Sequence, residues 1–196
     1  RPIYTTNPFI SNVKNVTVSG DNEITIHWNK SQFSNVWGYE LEKYENDESN
    51  RVTAIKIAQP SDTVYIDNDV LINQNSYIYS LFELDQCELR NTTNREGKSI
   101  LLKGYTRDDG FYIYWTKYRQ WEQGVEKYHV LNFDIVNQDK QFLIGNTQSS
   151  DTFFHDSVYY KDYIGAQTCY QVFGVNSQGD TSYSNVVCIF GDPQML

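Results

Sequence analysis

The chain has 196 residues, long enough for one large domain or two of about 100 residues each. It carries 25 Asp and Glu against 16 Lys and Arg, a net charge of −9. Divided at Gly97/Lys98 it has 8 basic against 14 acidic groups in the first part and 8 against 11 in the second. Both parts repel a phosphate backbone, so nucleic acid and anionic membrane surfaces are excluded as direct partners. No apolar run approaches the roughly 18 residues a transmembrane helix needs. Aromatic residues make up 15% of the chain, and Tyr, Phe, Val, Ile and Thr favour a pleated, half-buried surface. The composition predicts an all-β protein.

Taken in chain order, the predicted strands repeat. Ile24-Thr25-Ile26-His27-Trp28 alternates apolar and polar residues and ends on Trp, as does Phe111-Tyr112-Ile113-Tyr114-Trp115. A polar loop follows each, then Tyr39-Glu40-Leu41-Glu42 and Tyr128-His129-Val130-Leu131. Both copies next reach an Asp-Thr, Asp62-Thr63 and Asp151-Thr152. Each then enters a long alternating strand around Tyr79 or Tyr170. About seven short period-2 runs per copy, broken by Gly, Asn, Asp and Ser, are the signature of a two-sheet sandwich. The alternation places Ile24, Ile26, Trp28, Tyr39 and Leu41 inward in the first copy, and Phe111, Ile113, Trp115, Tyr128 and Val130 inward in the second. Tyr79 and Tyr170 are expected to form tyrosine corners, each hydroxyl bonding an upstream backbone group. The boundary falls within Gln86–Ser99, giving domains 1–97 and 98–196 with little chain left for a linker.

Tyr170-Gln171-Val172-Phe173-Gly174-Val175-Asn176 and the following Gly179 and Ser182-Tyr183-Ser184-Asn185 are similar to the last hairpin of fibronectin type III modules. Gly38-Tyr39, Ser99-Ile100-Leu101-Leu102-Lys103-Gly104, Trp121-Glu122-Gln123-Gly124 and Ser182–Cys188 resemble a recurrent pair of modules. That pair lies near the C-terminus of gliding-motility-associated surface proteins of Gram-negative bacteria, exported by the type IX secretion system. The resemblance implies two tandem fibronectin type III-like sandwiches in a secreted, adhesin-like cell-surface protein, just before its sorting domain. The motifs it rests on are structural, so it implies no catalytic residues. The first copy departs from it at Gln86-Cys87-Glu88-Leu89-Arg90, which lacks the glycine usual in that turn.

Cys169 and Cys188 are equidistant from a turn centred on Gln178-Gly179 and are expected to face each other. Facing residues on adjacent antiparallel strands come close enough for a disulfide. Two free thiols are the alternative. Cys87 is left over, as an unpaired thiol or, less simply, an intermolecular one.

Gly97-Lys98-Ser99 mimics the end of a P-loop, but Thr92 stands where the first glycine is needed. His27, His129 and His155 lack metal-ligand spacing. Paired carboxylates such as Asp67/Asp69 lie in turns, where Asp caps its own backbone. A loop calcium site at Asp67-Asn68-Asp69 is the sharpest metal alternative. The expectation is a non-enzyme with no cofactor and no metal. Tyr112 and Tyr114 fall on the outward side of their strand. Trp121 and the Tyr159, Tyr160, Tyr163 group are the expected contact surface. Expected partners are other domains of the same protein, surface proteins or glycans, and the fragment itself is expected to be monomeric. The alternatives are a carbohydrate- or protein-binding module and an accessory region of a secreted hydrolase.

Overall fold

The computed structural model describes residues 11–57, 59–133, 141–157 and 166–191, the side chains of 92–95 excepted. Each copy folds where the alternation places its strands. The first contains β1 (Val13–Gly20), β2 (Glu23–Trp28), β3 (Val36–Glu45), β4 (Arg51–Ile57), β5 (Val64–Asp67), β6 (Tyr77–Asp85) and β7 (Arg90–Lys98). The second contains β8 (Leu102–Arg107), β9 (Gly110–Trp115), β10 (Lys127–Phe133), β11 (Gln141–Gln148), β12 (Phe153–Asp156), β13 (Gln167–Val175), β14 (Thr181–Tyr183) and β15 (Val187–Phe190). Sheet β1-β2-β5 packs on β4-β3-β6-β7, and β8-β9-β12 packs on β11-β10-β13-β14, with β15 also on β13. Three strands facing four, with all named pairs antiparallel, is the fibronectin type III arrangement, repeated in tandem.

The repeated residues carry the two cores. Ile24, Ile26, Trp28, Tyr39 and Leu41 are buried in the first core, and Phe111, Ile113, Trp115, Tyr128 and Val130 in the second. The Trp and Asp-Thr landmarks are joined. Trp28 N donates to Thr63 O and Trp115 N to Thr152 O, each at 3.0 Å. The central Tyr hydroxyls accept upstream amides, Tyr39 from Ser31 and Tyr128 from Tyr118, both at 2.9 Å.

The tyrosine corners differ from expectation. Tyr79 donates to Asp67 Oδ2 at 2.8 Å and Tyr170 to Asp156 Oδ2 at 2.9 Å, so both bind a carboxylate. The backbone bond is made two residues earlier, where Tyr77 Oη accepts Leu71 N at 2.7 Å. A strand residue two positions away shares the same face, and sequence alternation alone does not choose between Tyr77 and Tyr79.

The turn of the first copy keeps the geometry of the second without its glycine. In the second, Asn176 Oδ1 accepts Gln178 N and Asp180 N, and Gly179 N donates to Asn176 O. In the first, Asp85 Oδ1 accepts Cys87 N and Leu89 N, and Glu88 N donates to Asp85 O. Glu88 adopts φ 58° where Gly179 has φ 85°. Cys87 is exposed in this turn.

Cys169 and Cys188 pair directly across β13 and β15 and form a disulfide with Cα atoms 4.0 Å apart. The hairpin is not continuous. Near its turn Phe173 faces Tyr183, and the register then shifts by one before Cys169 faces Cys188. Ser184 lies at the shift, its N donating to Val172 O at 2.8 Å and its Oγ accepting Val172 N at 3.0 Å.

Candidate interaction surfaces

Only Ser99, Ile100 and Leu101 separate β7 from β8. The joint they form is hydrogen-bonded rather than open. Ser99 N donates to Tyr77 O, and Ser99 Oγ accepts Tyr77 N, both at 2.9 Å. Gly97 lies against Val13 and Val16, with no room for a Cβ. The glycine, lysine and serine that imitate a phosphate loop are therefore joint residues.

The edge strand β1 of the first sandwich docks on β14 of the second. Asn15 Nδ2 donates to Thr181 O (2.9 Å), Ser182 Oγ to Val16 O (2.7 Å) and Tyr183 N to Thr17 Oγ1 (2.9 Å). Tyr118, 6% exposed, closes this seam. Its hydroxyl accepts Val16 N at 3.2 Å and donates to Asn15 Oδ1 at 2.9 Å. Burial raises its pKa. Two unpaired strand edges, each a template for foreign strands, thereby cover one another.

Beside this seam a groove of about 710 Å³ is lined by Tyr44, Phe82, Glu96, Arg119, Trp121 and Val125 among others. Trp121 is half-buried, its ring 4.3 Å from that of Tyr118 and its Nε1 without a hydrogen-bond partner among the described residues. Arg119 pairs with Glu96 at 3.2 Å and also with Glu48. Tyr159, Tyr160 and Tyr163 lie outside the described residues.

A second surface is the outward face of β8-β9-β12. Register sets Lys103, Tyr114 and Phe153 in one row and Tyr105, Tyr112 and His155 in the next. Tyr105 and Tyr112 stack at 5.3 Å, and Tyr112 and His155 at 4.4 Å. The Arg107 guanidinium lies 5.2 and 5.1 Å from the Tyr105 and Tyr112 ring centres, within cation–π range. Tyr112 Oη donates to Asp109, a bond that raises its pKa. Tyr105, Tyr114 and Phe153 stay 39%, 44% and 46% exposed. The paired positions of the first copy hold Thr25 opposite Ile66 and His27 opposite Val64. The aromatic grid thus belongs to the second copy alone. The sequence carried part of it, since Tyr112 and Tyr114 alternate outward. Tyr105, Phe153 and His155 join only through register.

The Asp67 carboxylate is turned inward, to Tyr79 and to Lys43 Nζ at 3.0 Å, while that of Asp69 is 97% exposed. Ligands for one cation are not gathered there, and among the described residues no three His, Cys, Asp or Glu are grouped to hold a metal.

No family model matches the chain, and no curated protein matches it. Among solved structures it is similar to the FN1-FN3 domains of chicken CNTN1, at 11% identity and TM-score 0.38, over 92% of this chain and 67% of that one. It is also similar to a pectate lyase from Pectobacterium carotovorum, at 20% identity and TM-score 0.39, over 46% of this chain. There the match spans 26% of that enzyme's length. The strand order given above carries the fold without them.

Proposed function

We infer that this chain is a non-catalytic structural tandem, with modules at 1–97 and 98–196, that spaces and presents other domains of a secreted bacterial surface protein. The observation that carries the reading is the seam of β1 on β14, pinned by Tyr118. It supports a fixed relation between the modules rather than beads on a flexible string. The Cys169–Cys188 disulfide fits an oxidising compartment and hence export. The sequence resemblance set out above supports the finer reading, a gliding-motility-associated, adhesin-like protein exported by the type IX route. Spin labels at Val52 and Val186, both exposed, test the spacer role. A single narrow interlabel distance is expected, and a broad distribution would sink it. The sequence flanking this chain in its gene tests the export reading. A sorting domain following residue 196 supports it, and a catalytic domain beside it favours an accessory region of a hydrolase.

A second reading, a module that binds glycan or protein, is favoured by the exposed grid of Tyr105, Tyr114 and Phe153. A glycan array with the parent chain, Tyr114→Ala and Trp121→Ala separates the grid from the joint groove. Equal signals from all three would count against both surfaces.

A further inference from the structure

Cys169 and Cys188 stand 19 residues apart, on β13 and on β15, and the segment between them holds the whole of β14. That segment supplies one side of the seam. Thr181 O accepts Asn15 Nδ2, Ser182 Oγ donates to Val16 O and Tyr183 N donates to Thr17 Oγ1. Asn185 Nδ2 adds a bond to Asn73 Oδ1 at 3.1 Å. β14 has a slight hold on its own sandwich. It has three residues, paired to β13 only from Phe173–Tyr183 to Val175–Thr181. The ladder breaks at Ser184 and resumes at Tyr170–Val187, one pair before the disulfide. A strand with so few ladder bonds opens at low cost. The disulfide closes directly beyond the break and ties β15 to β13, which β10 pairs from Lys127–Val175 to Phe133–Cys169. β1, the first strand of the first module, is braced on both sides, by β2 in its own sheet and by β14 across the joint.

We propose that the Cys169–Cys188 disulfide is a redox-sensitive strap that keeps tension off β14, and so keeps the two modules joined while the chain is pulled. This rests on the spacer reading, because a tandem that presents other domains carries load from its first strand to its last. Force on β15 passes from Cys188 through the sulfur bridge into β13. Peeling of β15 stops there, since a covalent link does not unzip as hydrogen bonds do. β14 and its bonds to β1 lie inside the closed loop, off the load path. Reduction by a dithiol transfers two electrons and two protons to the bridge, leaving Cys169 and Cys188 as thiols and the dithiol as a disulfide. Cys188 is exposed, within reach of such a reductant. Peeling then runs from Phe190 back past Ser184 into β14 and takes the brace from β1.

Single-molecule force spectroscopy on the full chain, held by its two ends, tests it. With the bridge intact no early step is expected, and the second module's unfolding length falls short by roughly 60 Å, the reach of the closed loop. In dithiothreitol a first step of about 35–40 Å is expected, as residues 181–191 come away. The first module then unfolds at a lower force than in the oxidised chain. The double variant Cys169→Ser, Cys188→Ser is expected to behave as the reduced chain does. Reduction of the chain after it is tethered gives the same reading if that variant does not fold. An early step in the oxidised chain, or none in the reduced one, would overturn the strap. So would an early step that leaves the first module's unfolding force unchanged, since the seam would then not depend on the bridge. The spacer reading stands or falls separately, on the Val52–Val186 distance in the oxidised chain at rest.

Discussion

Lys43 Nζ lies 3.0 Å from Asp67 Oδ2 in the first sandwich, with the two side chains only 1% and 3% exposed. Asp67 also accepts Tyr79 Oη and the Asp69 amide, and Lys43 Nζ donates to Asp69 O. The second sandwich keeps the Tyr170–Asp156 bond but has Asn132, bonded to Thr168 Oγ1, at the place of Lys43. A buried ion pair is expensive to break from one side, because the remaining charge stays buried alone. Lys43→Ala is expected to destabilise the first module by about 3–5 kcal/mol. Urea unfolding measures it, and a loss under about 1 kcal/mol would mean that water or another group rescues Asp67.

Glu88 occupies the left-handed position that Gly179 fills in the other copy. A non-glycine residue there costs about 1–2 kcal/mol, and the exposed Lys56–Glu88 pair returns at most about 1 kcal/mol of it. Glu88→Gly is therefore expected to stabilise the chain by up to about 1 kcal/mol. A lower melting temperature in this variant would show that the ion pair outweighs the backbone cost.

The disulfide closes a sequence separation of 19 residues. Loop closure of that length corresponds to about 3 kcal/mol. The double variant Cys169→Ser, Cys188→Ser is expected to lower the stability of the second module by about 2–4 kcal/mol. The first module's transition stays in place. Reduction of the parent protein serves as the matched control.

Removing the Tyr118 hydroxyl leaves Val16 N without its acceptor at the seam. An unsatisfied buried donor costs about 1–3 kcal/mol. Tyr118→Phe is expected to speed hydrogen exchange at Val16 and Tyr183 while leaving Trp28 and Trp115 protected. Unchanged exchange along β1 would mean that Asn15 and Ser182 hold the seam unaided.

Burial raises the hydroxyl pKa values of Tyr79, Tyr118 and Tyr128 above 10.0, the value each has when exposed. A group whose folded pKa is raised contributes stability that is fully present below its unfolded pKa and is lost as pH climbs toward the folded one. Melting temperature is expected to hold up to about pH 10 and to fall steadily above it. Absorbance near 295 nm should show these tyrosines ionising only with unfolding. Smooth titration of all 16 tyrosines in the folded state would contradict it.

The sequence by itself determined the duplication, the sandwich class, the inward residues of β2, β3, β9 and β10, and the Cys169–Cys188 pair. Those features follow from period-2 alternation and from distances along the chain, both local properties. Tertiary structure decided what depends on partners far apart in sequence. It gave the Tyr79 and Tyr170 hydroxyls to carboxylates, and it set Tyr118 in the seam with Asn15. It also assembled the aromatic grid from three strands whose register no single strand encodes.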